Sequence, residues 1–256
     1  MLSEAGAGAP VFFILAHATG SAQRYAELLP RLASKARVVP LDLPGHGARR
    51  GEPLLDDMEA IREDLAAIAC AALDGAGAAG QRGAPSGSPG TVVTDRRYHV
   101  FGHSMGVVNG YVMTERLMAM GCGAPLRFFA SSFSVPGWHP IPPGMPELPD
   151  YEMWRESALR FGVLNGQPIP TPEQMEIHSP VYRADLRAVE GYRPRRLTPL
   201  PCPVTAVYAE TDMVDAGLVS RWEGHCASLE TVLVPGGHFH PLENPGRLEE
   251  LILARI

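Results

Sequence analysis

The sequence predicts one α/β domain, a mostly parallel sheet with helices on both faces. Three observations lead there. Short apolar runs with the look of buried strands alternate with segments of helical periodicity along most of the chain. The 256 residues, 45% of them hydrophobic, suffice for one large core of this kind. No internal repeat and no second core is evident, so residues 1–256 read as a single domain.

Residues 11–16, VFFILA, form a continuous apolar run between Pro10 and a His-Ala-Thr-Gly turn, the pattern of a strand buried on both faces. Residues 21–33 follow as a helix, with Ser21 as N-cap and Tyr25, Leu28, Leu29 and Leu32 on one face. A second strand at 38–41 runs into the loop Asp42-Leu43-Pro44-Gly45-His46-Gly47. Residues 57–73 carry Ile61, Leu65, Ile68 and Leu73 at helical spacing. Residues 75–90 are rich in Gly, Ala, Ser and Pro and poor in large apolar side chains. They read as a flexible surface insertion. A strand at 98–101, a helix at 105–120 and a strand at 126–130 resume the alternation. Strands at 204–209 and 231–234 and a last helix at 245–256 complete it.

Residues 136–200 break the rhythm. A Pro-rich stretch leads into helical pieces at 151–161 and 172–191, separated by Asn165-Gly166-Gln167-Pro168. An insertion placed after a strand falls at the carboxyl edge of the sheet, where open α/β folds bind ligands, so this segment reads as a helical lid.

The formal net charge of −6 argues against a general nucleic-acid binder, which needs a basic excess. The apolar run at 11–16 is too short for a signal core, and no stretch approaches the ~18 apolar residues of a membrane span. A soluble, cytoplasmic protein is expected. The cysteines Cys70, Cys122, Cys202 and Cys226 form neither a CxxC pair nor a metal spacing with histidine. They read as free thiols, and no metal or cofactor is expected. There is no G-x-G-x-x-G and no P-loop sequence.

The strongest chemical signal is Gly102-His103-Ser104-Met105-Gly106, directly after a predicted strand and before a predicted helix. A sharp strand-to-helix turn of this type lifts a strained serine hydroxyl clear of the sheet, and the helix N-terminus favours negative charge there. A serine nucleophile needs a base, and the base an orienting acid. Among nine histidines, His238 and His240 lie in the glycine-bearing loop after the last strand, and His238 is the candidate base; His225 is predicted within a helix. Asp212, just past the 204–209 strand, is the candidate acid, with Asp215 and Glu210 as alternatives. An oxyanion hole needs two backbone N–H groups. Met105, after the serine, is one candidate, and Ala18, in the loop after the first strand, is the other.

On these residues the chain resembles the type II (editing) thioesterases of polyketide and nonribosomal peptide assembly lines, enzymes of the α/β-hydrolase fold. The opening from Phe12 to Ala22 is similar to that family's strand followed by Pro-His-Ala-Gly-Gly-Ser-Ala. Gly102–Gly106 looks like its Gly-His-Ser-Met-Gly, and Asn165-Gly166-Gln167-Pro168 like its Gly-Gly-Thr-Pro. Tyr182-Arg183-Ala184-Asp185-Leu186 with Glu190-Gly191-Tyr192 is similar to its Leu-Arg-Ala-Asp-Phe and Glu-x-Tyr. Trp222, His225 and Gly236-Gly237-His238-Phe239 complete the likeness. The resemblance implies a triad of Ser104, Asp212 and His238. It implies hydrolysis of acyl thioesters on the phosphopantetheine arm of an acyl or peptidyl carrier protein, with residues 136–200 over the acyl chamber. The usual task of such enzymes is clearing stalled or wrong acyl groups. Ala16 and Thr19 depart from the family's Pro and Gly, and Thr19, being β-branched, is not expected to hold a positive φ. His46 stands where Arg is frequent, and Ala209 where Gly is. His240-Pro241-Leu242-Glu243 looks more like α/β-hydrolases in general. Arg183, Arg187, Arg195 and Arg196 crowd the end of the insertion and are candidates for docking an acidic carrier or its phosphate. The rival readings are a carboxylester hydrolase or small amidase with the same triad, and a hydrolase-fold binding protein without catalysis.

Overall fold

Strands β1 (Val11–Leu15), β2 (Arg37–Pro40), β3 (Tyr98–His103), β4 (Arg127–Ser131), β5 (Leu200–Ala209) and β6 (Cys226–Val234) form one sheet in the computed structural model. Their order is β2-β1-β3-β4-β5-β6 and every pairing is parallel. The structure describes residues 6, 8–80, 96–138, 141–162, 164 and 168–256. The chain steps outward from β1 to β2, then returns to the other side of β1 as β3. That reversal opens a crevice beyond the carboxyl ends of β1 and β3.

Alternation along the strands sorts the core into two layers. Val11, Phe13 and Leu15 of β1, with Val100 and Phe128, pack under α2 (Met58–Gly80) and α3 (Met105–Ala119). Phe12 and Ile14, with Phe101, Phe129 and Val207, pack against α1 (Ala22–Leu28) and the last helix (Pro245–Leu253). All five residues of β1 are buried, which accounts for its unbroken apolar run. Each fully buried Phe or Ile contributes about 1.5–3 kcal/mol relative to exposure.

Between β4 and β5 the chain builds α4 (Asp150–Phe161) and α5 (Pro172–Gly191). Thr171 starts α5 with a capping box, its hydroxyl accepting from the Gln174 N–H while Gln174 accepts from the Thr171 N–H, and Pro172 fills the first helical position. Met153, Trp154, Tyr182, Leu186 and Val189 of these helices join the same apolar layer as α2 and α3. Trp154 stacks on Tyr182 with centroids 4.7 Å apart and donates its indole N–H to Ser179 at 3.0 Å. The two short helices after β5 and β6 are α6 (Ala216–Val219) and α7 (His240–Glu243), so the last helix is α8.

The structure differs from the sequence reading in several places. The predicted helix at 21–33 ends at Leu28 and continues as a 3-10 turn from Pro30, because proline cannot donate to the preceding turn. Residues 75–80, assigned to the flexible insertion, complete α2; residues 81–90 lie outside the described residues. Strands β5 and β6 begin at Leu200 and Cys226, earlier than predicted, because parallel pairing starts at Leu200 opposite Cys226. His225 is not helical: it lies in the turn before β6, and its carbonyl accepts from the Leu200 N–H at 2.9 Å. The Asn165–Gln167 part of the family-like motif lies outside the described residues. All four cysteines are free. Among the described residues no helix is long and apolar enough to cross a membrane.

Candidate active site

Ser104 sits between β3 and α3 with φ 54° and ψ −123°, a backbone state that L residues rarely adopt. The flanking glycines make the turn possible. A Cβ on Gly102 would run into the carbonyl of Gly106, and one on Gly106 into the carbonyl of Leu15 on β1. The Ser104 N–H donates to the Ser131 carbonyl of β4 at 2.8 Å, which anchors the strained residue to the sheet.

The hydroxyl of Ser104 lies 2.9 Å from His238 Nε2, and His238 Nδ1 lies 3.0 Å from Asp212 Oδ1. A carboxylate only accepts, so Nδ1 carries the proton and Nε2 is the free lone pair facing the serine. Burial pushes the Asp212 carboxyl up, but the His238 hydrogen bond and charge, the Ser132 hydroxyl and the Val214 N–H outweigh it. The net pKa is below the ordinary value, so the acid stays ionised. Asp215 and Glu210 are engaged elsewhere or exposed. Asp215 caps α6 by accepting from the Leu218 N–H at 2.8 Å, and Glu210 faces solvent. His240 is turned away into a buried chain, 3.0 Å from the Ser131 hydroxyl, which lies 3.0 Å from His103 Nδ1. Burial lowers the His240 pKa to about 4 and that of His103 well below its usual range, so both are neutral, and the His103 ring packs against the His238 ring with centroids 5.2 Å apart. His17, bonded to the Tyr25 hydroxyl at 2.7 Å, is likewise lowered by burial, to about 3.

Ala18 and Met105 line the cavity together with Ser104 and His238. As the first residue of α3, Met105 has no intrahelical acceptor for its N–H. No hydrogen bond to the Ala18 N–H occurs among the described residues. Thr19 departs from expectation. It holds φ 63° despite its β-branch, and its N–H donates to Asp185 Oδ2 of α5 at 2.7 Å.

The cavity, about 770 Å³ including its mouth, runs from the serine under the insertion. Phe133, Trp138, Trp154, Phe161, Tyr182 and Leu186 wall it. An apolar chamber with polar groups at one end suits a substrate with an apolar tail and a reactive carbonyl. No group of His, Cys, Asp and Glu able to hold a metal occurs among the described residues.

The candidate docking arginines are not equivalent. Arg183 is spent inside the insertion on the Pro146 and Leu148 carbonyls and on Asp150 at 2.6 Å; Arg187 pairs with Glu147 at 2.9 Å. Arg195 and Arg196 are exposed.

Sequence reasoning missed the role of Asp185, His46 and Ser132 in this region. The signal for Asp185 was present: a lone carboxylate at helical spacing with Tyr182, Leu186 and Val189, on the face of α5 that turns out to be buried.

The profile of the alpha/beta hydrolase family matches residues 13–251. The chain belongs to that family. Among its relatives is the AMB antimetabolite synthetase AmbE of Pseudomonas aeruginosa, 27% identical over 93% of this hydrolase; the match covers 10% of AmbE, so the chain spans about a tenth of that relative's length. The type II thioesterase BorB from the borrelidin biosynthetic cluster superposes with a TM-score of 0.78 at 25% identity, covering 99% of this chain and 95% of BorB. The RedJ thioesterase from the prodiginine pathway of Streptomyces coelicolor gives 0.78 at 27% identity, over 100% and 91% of the two chains.

Proposed function

We propose that this hydrolase cleaves acyl thioesters through an acyl-enzyme on Ser104, and that the acyl group arrives on the phosphopantetheine arm of an acyl or peptidyl carrier protein. The observation that carries the reading is the hydrogen-bonded chain Asp212–His238–Ser104 opening into an apolar cavity roofed by α4 and α5. The likeness to BorB and RedJ, both described as biosynthetic thioesterases, supports the substrate class.

In this mechanism His238 Nε2 takes the hydroxyl proton as Ser104 Oγ bonds to the thioester carbonyl carbon. The N–H groups of Met105 and Ala18 hold the oxyanion, and Asp212 stabilises the imidazolium. The carbon–sulfur bond breaks and His238 returns the proton to the departing sulfur. Water, deprotonated by His238, then attacks the acyl-serine; the carbon–oxygen bond to Ser104 breaks, Oγ regains a proton and the carboxylic acid leaves.

The test is turnover of acyl thioesters of graded length, free and carrier-bound, beside matched p-nitrophenyl esters, with the wild type and Ser104→Ala. Thioester hydrolysis that the variant loses by at least ~10³-fold is expected. Faster turnover of the oxygen esters would favour an esterase. Inertness toward every substrate would favour a binding protein.

A further inference from the structure

Three non-glycine residues hold a positive φ among the described residues, and all three line the cavity: Thr19 (φ 63°), Ser104 (φ 54°) and Ser132 (φ 54°). Strain gathered at one site persists only where the surroundings hold it. The sheet holds two of them, since the Ser104 N–H donates to the Ser131 carbonyl and the Ser132 N–H to the Val207 carbonyl, each at 2.8 Å. Thr19 is held differently. Its N–H meets no backbone carbonyl and donates instead to a side chain 166 residues away, Asp185 of α5, at 2.7 Å.

Asp185 is an improbable residue in that position. Its side chain is fully buried as the one ionisable carboxylate on the buried face of α5, and a buried charge is costly unless paired. Its partner is His46, 4% exposed, whose Nε2 lies 3.0 Å from the same Oδ2. The other ring nitrogen of His46 faces the Pro44 carbonyl at 3.1 Å, which only accepts, so the ring donates on both sides and is a cation. The pair ties the insertion to the loop after β2 and is neutral as a unit. It therefore puts no net negative charge beside a developing oxyanion.

We infer that Asp185, paired with His46, is a positioning residue that clamps Thr19 in its left-handed state and so aims the Ala18 N–H at the oxyanion. The inference rests on the proposed role of Ala18 above. By claiming the Thr19 N–H, the carboxylate also leaves Ala18 as the donor free to face the reacting carbonyl. The far end of the loop is closed by the Gly20 N–H on the His17 carbonyl at 2.9 Å and by the Ala22 N–H on Asp42 at 2.6 Å. Asp185 is thus the clamp that comes from the insertion rather than from the sheet.

The test compares Asp185→Asn with the wild type using three readouts. They are kcat/KM on an acyl-CoA, inhibition by a trifluoromethyl ketone that forms a tetrahedral oxyanion on the serine, and binding of a non-cleavable thioether analogue of the same acyl-CoA. Losing one oxyanion donor costs on the order of 10²–10³-fold in rate. The expected result is a loss of about 10²-fold in kcat/KM and in ketone affinity alike, with thioether affinity within about twofold. Thr19→Gly in the Asp185→Asn background is expected to recover most of the rate, because glycine holds φ > 0 without a clamp. Turnover of Asp185→Asn within twofold of wild type, or thioether binding that falls as far as ketone binding, overturns the inference. Should Asp185→Asn fail to fold, His46→Gln keeps a donor toward Asp185 without the charge and should show the same pattern, smaller. A wild type inert to acyl-CoA and ketone would sink the Ser104 reading instead. Amide exchange over residues 17–20 then decides whether Asp185 holds the loop: faster exchange in Asp185→Asn supports the clamp and unchanged exchange removes it.

Discussion

His238 makes two hydrogen bonds, and they carry different duties. In the proposed mechanism the one to Ser104 moves a proton, and the one to Asp212 sets which nitrogen is free to accept it. Asp212→Asn therefore leaves the shape intact and loses the orientation, since an amide N–H facing Nδ1 favours the wrong tautomer. A fall in kcat of about 10⁴-fold is expected, with little change in thermal midpoint. Steady-state kinetics beside a melting curve checks it, and a loss of tenfold or less would remove Asp212 from the mechanism. At this scale the turns that carry Ser104 and His238 were legible in the sequence because each holds glycine and directly follows a strand. Asp212 was legible only as one of three acids, Glu210, Asp212 and Asp215. The choice among them is a matter of where each carboxylate points, and a spacing does not encode direction.

Among the elements, α5 is the one the sequence described best in outline and least in consequence. Its start follows from Thr171, Pro172 and Gln174, a local capping pattern. Its use depends on what its faces meet. The inner face supplies the cavity wall and Asp185; the outer face consumes Arg183 and Arg187 in pairs with Asp150 and Glu147. In the proposed function, docking of an acidic carrier then falls to the exposed Arg195 and Arg196, just beyond the helix. Reversing both charges to Glu is expected to lower kcat/KM on carrier-bound substrate about tenfold or more and to leave free acyl-thioester turnover within twofold, since surface charge acts mainly on encounter. Equal effects on both substrates, or none on the carrier, would discard the idea. The elbow between β3 and α3 is the opposite case. Gly102 and Gly106 announce it because any Cβ there meets backbone that cannot move aside.

For the whole molecule, the buried histidines set an acid limit. His17 is lowered to about 3, His99 and His240 to about 4, and His103 well below its ordinary value, in each case chiefly because burial disfavours the cation. The unfolded chain takes up these protons near pH 6.5, while the folded protein resists until far lower. Stability is therefore full above about pH 6.5 and falls as the pH drops toward 4. His46, raised by its Asp185 and Asp42 neighbours against the pull of burial, has the opposite sign, four groups against one. Urea midpoints measured from pH 7.5 to 4.5 are expected to decline steadily below 6.5. The ideal slope is about 1.4 kcal/mol per pH unit for each net proton. A flat profile would show that these rings are not buried as neutral groups.

The sequence alone determined the parallel α/β sheet, the strand-to-helix turn that carries Ser104 and the loop that carries His238, because each is written in local terms: apolar runs, helical periodicity and glycines where the chain passes close to itself. Only the tertiary structure decided which carboxylate meets the His238 ring, that His240 turns inward to Ser131, that Arg183 and Arg187 are already partnered, and that Thr19 takes a backbone state its own side chain opposes. The reason is the same each time. These outcomes depend on contacts between residues far apart in the chain, as between Thr19 and Asp185, and one distant hydrogen bond can hold a conformation that local preference alone would reject.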